Sequence, residues 1–193
     1  MSSRLGFALA LVVTGCQSAA TPPATQPPAP ASAPVAASPA AASGGFTLTS
    51  PGFGNGQAIP RVFTCQDRDV APALAWSGAP KGTKSFALIV DDPDAPVAGG
   101  WVHWLVYDIP ADRHDLPQGA APAGVVQGKN SFGTARWGGP CPPPGGPHRY
   151  FFKLYALDTM LALPPGASRA ALEAAMKGHV VGEATLMGRY ARR

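Results

Sequence analysis

Charge is scarce in this chain. Only 13% of its 193 residues are Asp, Glu, Lys or Arg, about half the usual share. The formal net charge of +4 is spread thinly, so the dense basic face of a nucleic-acid binder is missing. No apolar run reaches the roughly 20 residues of a membrane-spanning helix. Catalytic signatures are missing too. There is no HExxH, no CxxC pair and no GxSxG turn. Gly52–Gln57 fails as a dinucleotide loop because the last required glycine is Gln57 and no helix follows. Glycine and proline, by contrast, are plentiful at 23 each, so part of the chain is expected to be turn-rich or unfolded.

The N-terminus reads as an address. Arg4 precedes a run without charge from Leu5 to Gly15, the length of a signal-peptide core. Val13-Thr14-Gly15-Cys16 resembles the bacterial lipobox. That resemblance implies a signal peptide over 1–15, cleavage before Cys16 and lipidation at Cys16. An ordinary secretory signal is the plainer alternative. Residues 16–45 form an Ala/Pro-rich tether whose prolines block helices and sheet ladders, expected to be extended and disordered. The implied location is the cell envelope, with a lipid anchor facing the periplasm or exterior.

Residues 46–193 hold all four Trp and all four Tyr and suit one domain with a real core. Ser85–Val90 is apolar almost throughout, as in a strand covered on both faces. Trp101–Ile109 and Tyr150–Ala156 are β-branched and aromatic. Phe46–Thr49, Arg61–Thr64, Leu74–Trp76 and Thr185–Tyr190 are shorter strand candidates. A helix over Arg169–Lys177 is capped by Ser168 and stopped by Gly178. The expected fold is mainly β, a sandwich or β-rich domain with one or two peripheral helices.

Three segments carry candidate chemistry. Asp91-Asp92-Pro93-Asp94-Ala95-Pro96 follows the strongest strand, and its prolines hold two carboxylates in a stiff loop; its bland reading is an Asp-Pro turn. In Trp101-Val102-His103-Trp104 strand alternation puts His103 with Trp101 and Leu105, opposite Trp104; a lone histidine among aromatics is commonly structural. The Pro/Gly loop from Gly138 enters a strand at His148-Arg149-Tyr150, with His148 and Tyr150 on one face; alone it is a long turn.

In this order and spacing, with Phe63-Thr64-Cys65, Asn130-Ser131-Phe132-Gly133 and Lys177-Gly178-His179-Val180, the segments resemble the phosphatidylethanolamine-binding protein family, and most of all its bacterial Raf-kinase-inhibitor-like branch. The resemblance implies an antiparallel β-sandwich with a small pocket. By motif, the pocket residues would be Asp92, Asp94, His103, His148 and Tyr150, with Pro96 and the loop from Gly139 to Gly146 as walls. Two departures, Ala71-Pro72-Ala73-Leu74-Ala75-Trp76 and Cys65-Gln66-Asp67, argue against polar contacts from the lower rim.

Chemically, an aspartate that accepts one imidazole N–H favours the protonated ring. The second N–H is then free to grip an anion. The expectation is a non-enzymatic binder of phosphate, a phosphorylated head group or an acidic peptide end, without a cofactor. A metal-assisted hydrolase built on the same side chains is a rival. So is an inhibitor that acts on an envelope protease or kinase through its surface, although no protein partner is named by the sequence. Cys65 and Cys141 form an even pair in an exported domain, a candidate disulfide, though family architecture could equally account for them unbonded. Glu173 and Lys177 read as a surface pair on the helix, and Arg189, Arg192 and Arg193 as a solvated basic end.

Overall fold

The structure, a computed structural model, describes residues 45–192. The expected signal peptide, Cys16 and nearly all of the tether lie outside the described residues.

Among the described residues there are eight strands and one α-helix: β1 (Thr47–Thr49), β2 (Leu74–Ser77), β3 (Ser85–Asp92), β4 (Trp101–Pro110), β5 (Asp115–Leu116), β6 (Val126–Gln127), β7 (His148–Leu157), α1 (Arg169–Met176) and β8 (Val180–Tyr190). They form a three-stranded sheet, β1-β2-β5, and a five-stranded sheet, β6-β4-β3-β7-β8. Every ladder is antiparallel. The mainly β sandwich expected from the strand pattern is the observed fold.

The uninterrupted apolar character of β3 has a direct cause. All eight of its residues are buried, because both faces of the large sheet are covered. On one face Phe86, Leu88 and Val90 pack with Trp104, Phe152, Leu154 and the small sheet's Leu48, Leu74 and Trp76. On the other, Ala87 and Ile89 join Leu105, Tyr107 and Leu157 beneath Leu172 and Met176 of α1. A fully buried side chain of this size contributes about 1.5–3 kcal/mol, so β3 and β4 anchor the domain, and the loops at their ends inherit that rigidity.

Two local expectations need correction. Arg61–Phe63 is a 3₁₀ turn rather than a strand. Pro60 presets φ, and Phe63 N–H and Thr64 N–H donate to the carbonyls of Pro60 and Arg61 at 3.0 and 2.9 Å, the i→i+3 pattern of a 3₁₀ helix. Glu173 pairs with Arg169 at 2.6 Å, not with Lys177. The helix ends at Met176, and Lys177 already has an extended backbone, so the i,i+4 spacing no longer brings it over Glu173. The cap itself is as expected: Ser168 Oγ accepts from Ala171 N–H.

Candidate functional site

The ends of β3, β4 and β7 converge on a cavity of about 180 Å³, lined by Asp92, Ala95, Pro96, Trp101, His103, Phe132, Cys141, Pro142, Pro143, His148 and Tyr150. Strand alternation splits the two adjacent aspartates. Asp92 faces the cavity. Asp91 points to the helix side, where its carboxylate meets Lys153 at 3.0 Å and Arg169 at 3.1 Å.

A β-bulge aims His103. Val102 pairs with Asp91 and Trp104 with Val90, which leaves His103 as the extra residue on β4. The side-chain order therefore shifts at this point. His103 faces the cavity beside Trp101, and Trp104 enters the core on the same side of the sheet, whereas Leu105 packs under the helix. Plain alternation had placed His103 with Leu105 and opposite Trp104; the bulge is why it does not. The carbonyl freed at His103 accepts from Gly138 N–H at 3.1 Å.

The protonation pattern follows from geometry. His103 Nδ1 lies 2.6 Å from the Gly138 carbonyl, which can only accept, so Nδ1 carries the hydrogen and Nε2 is an acceptor. Burial drives its pKa below the usual histidine value and outweighs the nearby carbonyls and Asp92, so the ring is neutral. His148 Nδ1 donates to Asp92 Oδ2 at 2.7 Å. Asp92 Oδ1 accepts from Asp94 N–H at 2.9 Å. Both Asp92 oxygens are thus engaged, and Nε2 is the uncommitted nitrogen of His148. Tyr150 is only 1% exposed, and its hydroxyl closes no hydrogen bond of normal geometry, although it stands close enough to Asp92 to interact with that carboxylate. Burial, then the neighbouring Asp92 charge and carboxylate contact, pushes its pKa far up, so it remains a donor. The ring stands edge-on to His103, with centroids 5.1 Å apart.

Not every expected residue reaches the cavity. Asp94 stands outside the lining and faces Arg149, accepting from its backbone N–H at 2.8 Å and from Nε and Nη2 at 3.0 and 2.7 Å. The Arg149 side-chain hydrogen bonds hold its pKa at about 2. This is a depressed carboxylate. Its contribution to stability is fully present above the ordinary value of 3.8 and is lost as the pH falls through about 2. Asp94 therefore ties the Asp-Pro loop to the start of β7. Gly139 also lies outside the lining. Its N–H donates to Asp69 Oδ1 at 2.7 Å, and a Cβ there would lie 2.3 Å from the Phe63 carbonyl, so glycine serves close backbone approach. Gly100 (φ +74°) does likewise against the Asp-Pro loop, where a Cβ would sit 2.7 Å from the Asp92 carbonyl.

Ala95, Trp101 and Phe132 are lining residues that sequence reasoning did not assign. Trp101 could have been found from its two-residue spacing to His103. Phe132 could not, because its position depends on buried Asn130. That side chain accepts from Phe132 and Thr134 N–H and donates to the Arg136 carbonyl. Cys65 and Cys141 form a disulfide, Cα–Cα 5.5 Å, which fastens the Pro142-Pro143 wall to the 3₁₀ segment.

Sheet order, bulge and cavity together define an antiparallel β-sandwich with a small ligand cavity at one end of its larger sheet. The chain belongs to the phosphatidylethanolamine-binding protein family, whose model matches residues 49–191; proteins of this family bind ligands. The chain is 49% identical over 149 residues to a UPF0098 protein of Aquifex aeolicus, covering 74% of this chain and 86% of that one. A UPF0098 protein of Methanothermobacter thermautotrophicus is 49% identical over 150 residues, covering 75% and 98%. Among solved structures, a phosphatidylethanolamine-binding protein homologue of Chlamydia trachomatis superposes with TM-score 0.73 at 39% identity, covering 77% of this chain and 99% of its own. Escherichia coli YbcL superposes with TM-score 0.73 at 38% identity and the same coverage.

Proposed function

We propose that the cavity captures a small phosphate-class anion: free phosphate, a phosphate monoester or a phosphorylated head group. The reading is carried by the convergence in one cavity wall of His148 and the buried Tyr150 hydroxyl, which neighbours Asp92 but closes no hydrogen bond of normal geometry. An incoming oxygen would give that hydroxyl a well-formed bond. With Nδ1 of His148 committed to Asp92, Nε2 is the ring atom left to meet the anion, as a charge-assisted donor when the ring carries both protons. Neutral His103 adds an acceptor, which suits an anion that still carries one hydroxyl. Asp92 orients His148 rather than meeting the ligand, since both of its oxygens are already engaged. Pro96, Pro142, Pro143 and Phe132 supply an apolar mouth, and the low polarity of that wall strengthens these bonds.

Tyr150→Phe separates this role from a structural one. Because the hydroxyl closes no hydrogen bond of normal geometry, its removal is expected to leave the stability of the unliganded protein within about 1 kcal/mol of the parent. The substitution lowers the affinity for inorganic phosphate and phosphoethanolamine, measured by calorimetry, by about tenfold. Unchanged affinity in the variant would overturn the reading.

The same proposal places the domain in the bacterial envelope, held by lipid on Cys16 and spaced from the membrane by the tether. The support is the lipobox-like Val13–Cys16 and the Ala/Pro-rich stretch after it. Cys16→Ser is expected to move the protein from the membrane fraction to the soluble one; retention at the membrane counts against the anchor.

A further inference from the structure

We propose that Cys65–Cys141 is a thiol–disulfide exchange site that latches the ligand cavity. Cys141 lines the cavity, followed immediately by Pro142 and Pro143 of its wall. Among the described residues, no backbone hydrogen bond ties Cys141–Pro147 to the rest of the domain. Four of those seven residues are prolines and have no N–H to give. On the near side the chain is pinned by Gly139 N–H to Asp69 and by Cys65 N–H to the Pro140 carbonyl at 3.3 Å. On the far side it is pinned where β7 begins, at His148. Between these anchors the disulfide is the covalent fastening of the wall.

The two sulfurs are not equivalent. Cys65 is an exposed residue, whereas Cys141 is half-buried and its Sγ lies 3.9 Å from Nη1 of Arg192. A nearby guanidinium favours a thiolate, and a stabilised thiolate is the better leaving group. A dithiol reductant therefore attacks the sulfur of Cys65. The Cys65–Cys141 bond breaks, Cys141 departs as thiolate beside Arg192, and a mixed disulfide remains on Cys65. The reductant's second thiol then attacks its own sulfur in that mixed disulfide. Cys65 is released, and the oxidised reductant leaves as a cyclic disulfide. Two electrons pass to the protein, and both cysteines end reduced. The freed wall then samples open positions, and apparent affinity falls with the fraction that remains closed.

The consequence for ligand affinity rests on the phosphate reading above; the latch itself does not. The test is a dithiothreitol titration of the intact protein, with thiols counted by alkylation and mass spectrometry. Hydrogen exchange is followed at the amides of Cys65 and Gly139, and inorganic phosphate binding by calorimetry. Reduction is expected under native conditions with circular dichroism unchanged, exchange at those amides about tenfold faster, and phosphate affinity about tenfold weaker. Reoxidation restores both. Arg192→Gln is expected to slow reduction several-fold. Reduced protein with the same protection and the same affinity overturns the latch, as does a disulfide that yields only when the domain unfolds. If the oxidised protein binds no phosphate at all, the functional reading fails, and the exchange measurement still decides the latch.

Discussion

His148→Ala is expected to weaken phosphate binding by about tenfold to a hundredfold, the worth of a hydrogen bond to a charged group. His179→Ala should leave it unchanged. Two losses add at His148. The Nε2 donor disappears, and Asp92 Oδ2, no longer covered by Nδ1, turns an unshielded negative charge toward the anion. His179 makes a similar imidazole–carboxylate contact, with Asp158 at 2.8 Å, but beyond the end of the helix rather than in the cavity. It therefore controls for the general effect of deleting a paired histidine. Equal calorimetric affinity for phosphate in the parent and in His148→Ala would remove the imidazole from the mechanism.

The second large effect concerns stability. Replacing both cysteines, Cys65→Ser with Cys141→Ser, is expected to destabilise the domain by about 3 kcal/mol, because the bond closes a long loop in the unfolded chain. The partners are 76 residues apart. That loss corresponds to a fall of roughly 10 °C in Tm for a domain of this size. Urea titration gives the free energy directly, from a lower midpoint at unchanged slope. The variant should nevertheless fold, since both faces of β3 keep their apolar partners. An unaltered midpoint would mean that the crosslink restrains only the local loop and leaves the unfolded chain no more restricted.

Much of this molecule was readable before any coordinates. The apolar run at Ser85–Val90 announced a strand covered on both sides, and Ser168 and Gly178 bracketed the helix, because such signals depend on residues close together in the chain. The family resemblance carried by the motifs from Asp92 to Tyr150 pointed to Asp92, His103, His148 and Tyr150, which line the cavity. The strands β5 and β6, each two residues long, were invisible because no period can be read from two residues. Arg61–Phe63 misled because β-branched and aromatic content reflects burial as much as backbone geometry.

Which groups meet is a different matter. Nothing in the spacing of Asp94 shows that it turns to Arg149 while Asp92, two residues earlier, turns to His148. That division is made by the Asx turn at Asp92 and by the antiparallel ladder that sets β7 beside β3. The facing of His103 came from a bulge that exists only once β4 is in register with β3. The cysteines, 76 positions apart in the chain, needed the whole intervening fold before their Cα atoms could stand 5.5 Å apart. Periodicity and capping are local properties and survive in a string of letters. Register, bulges and crosslinks are distances between remote parts of the chain, and only packing sets those.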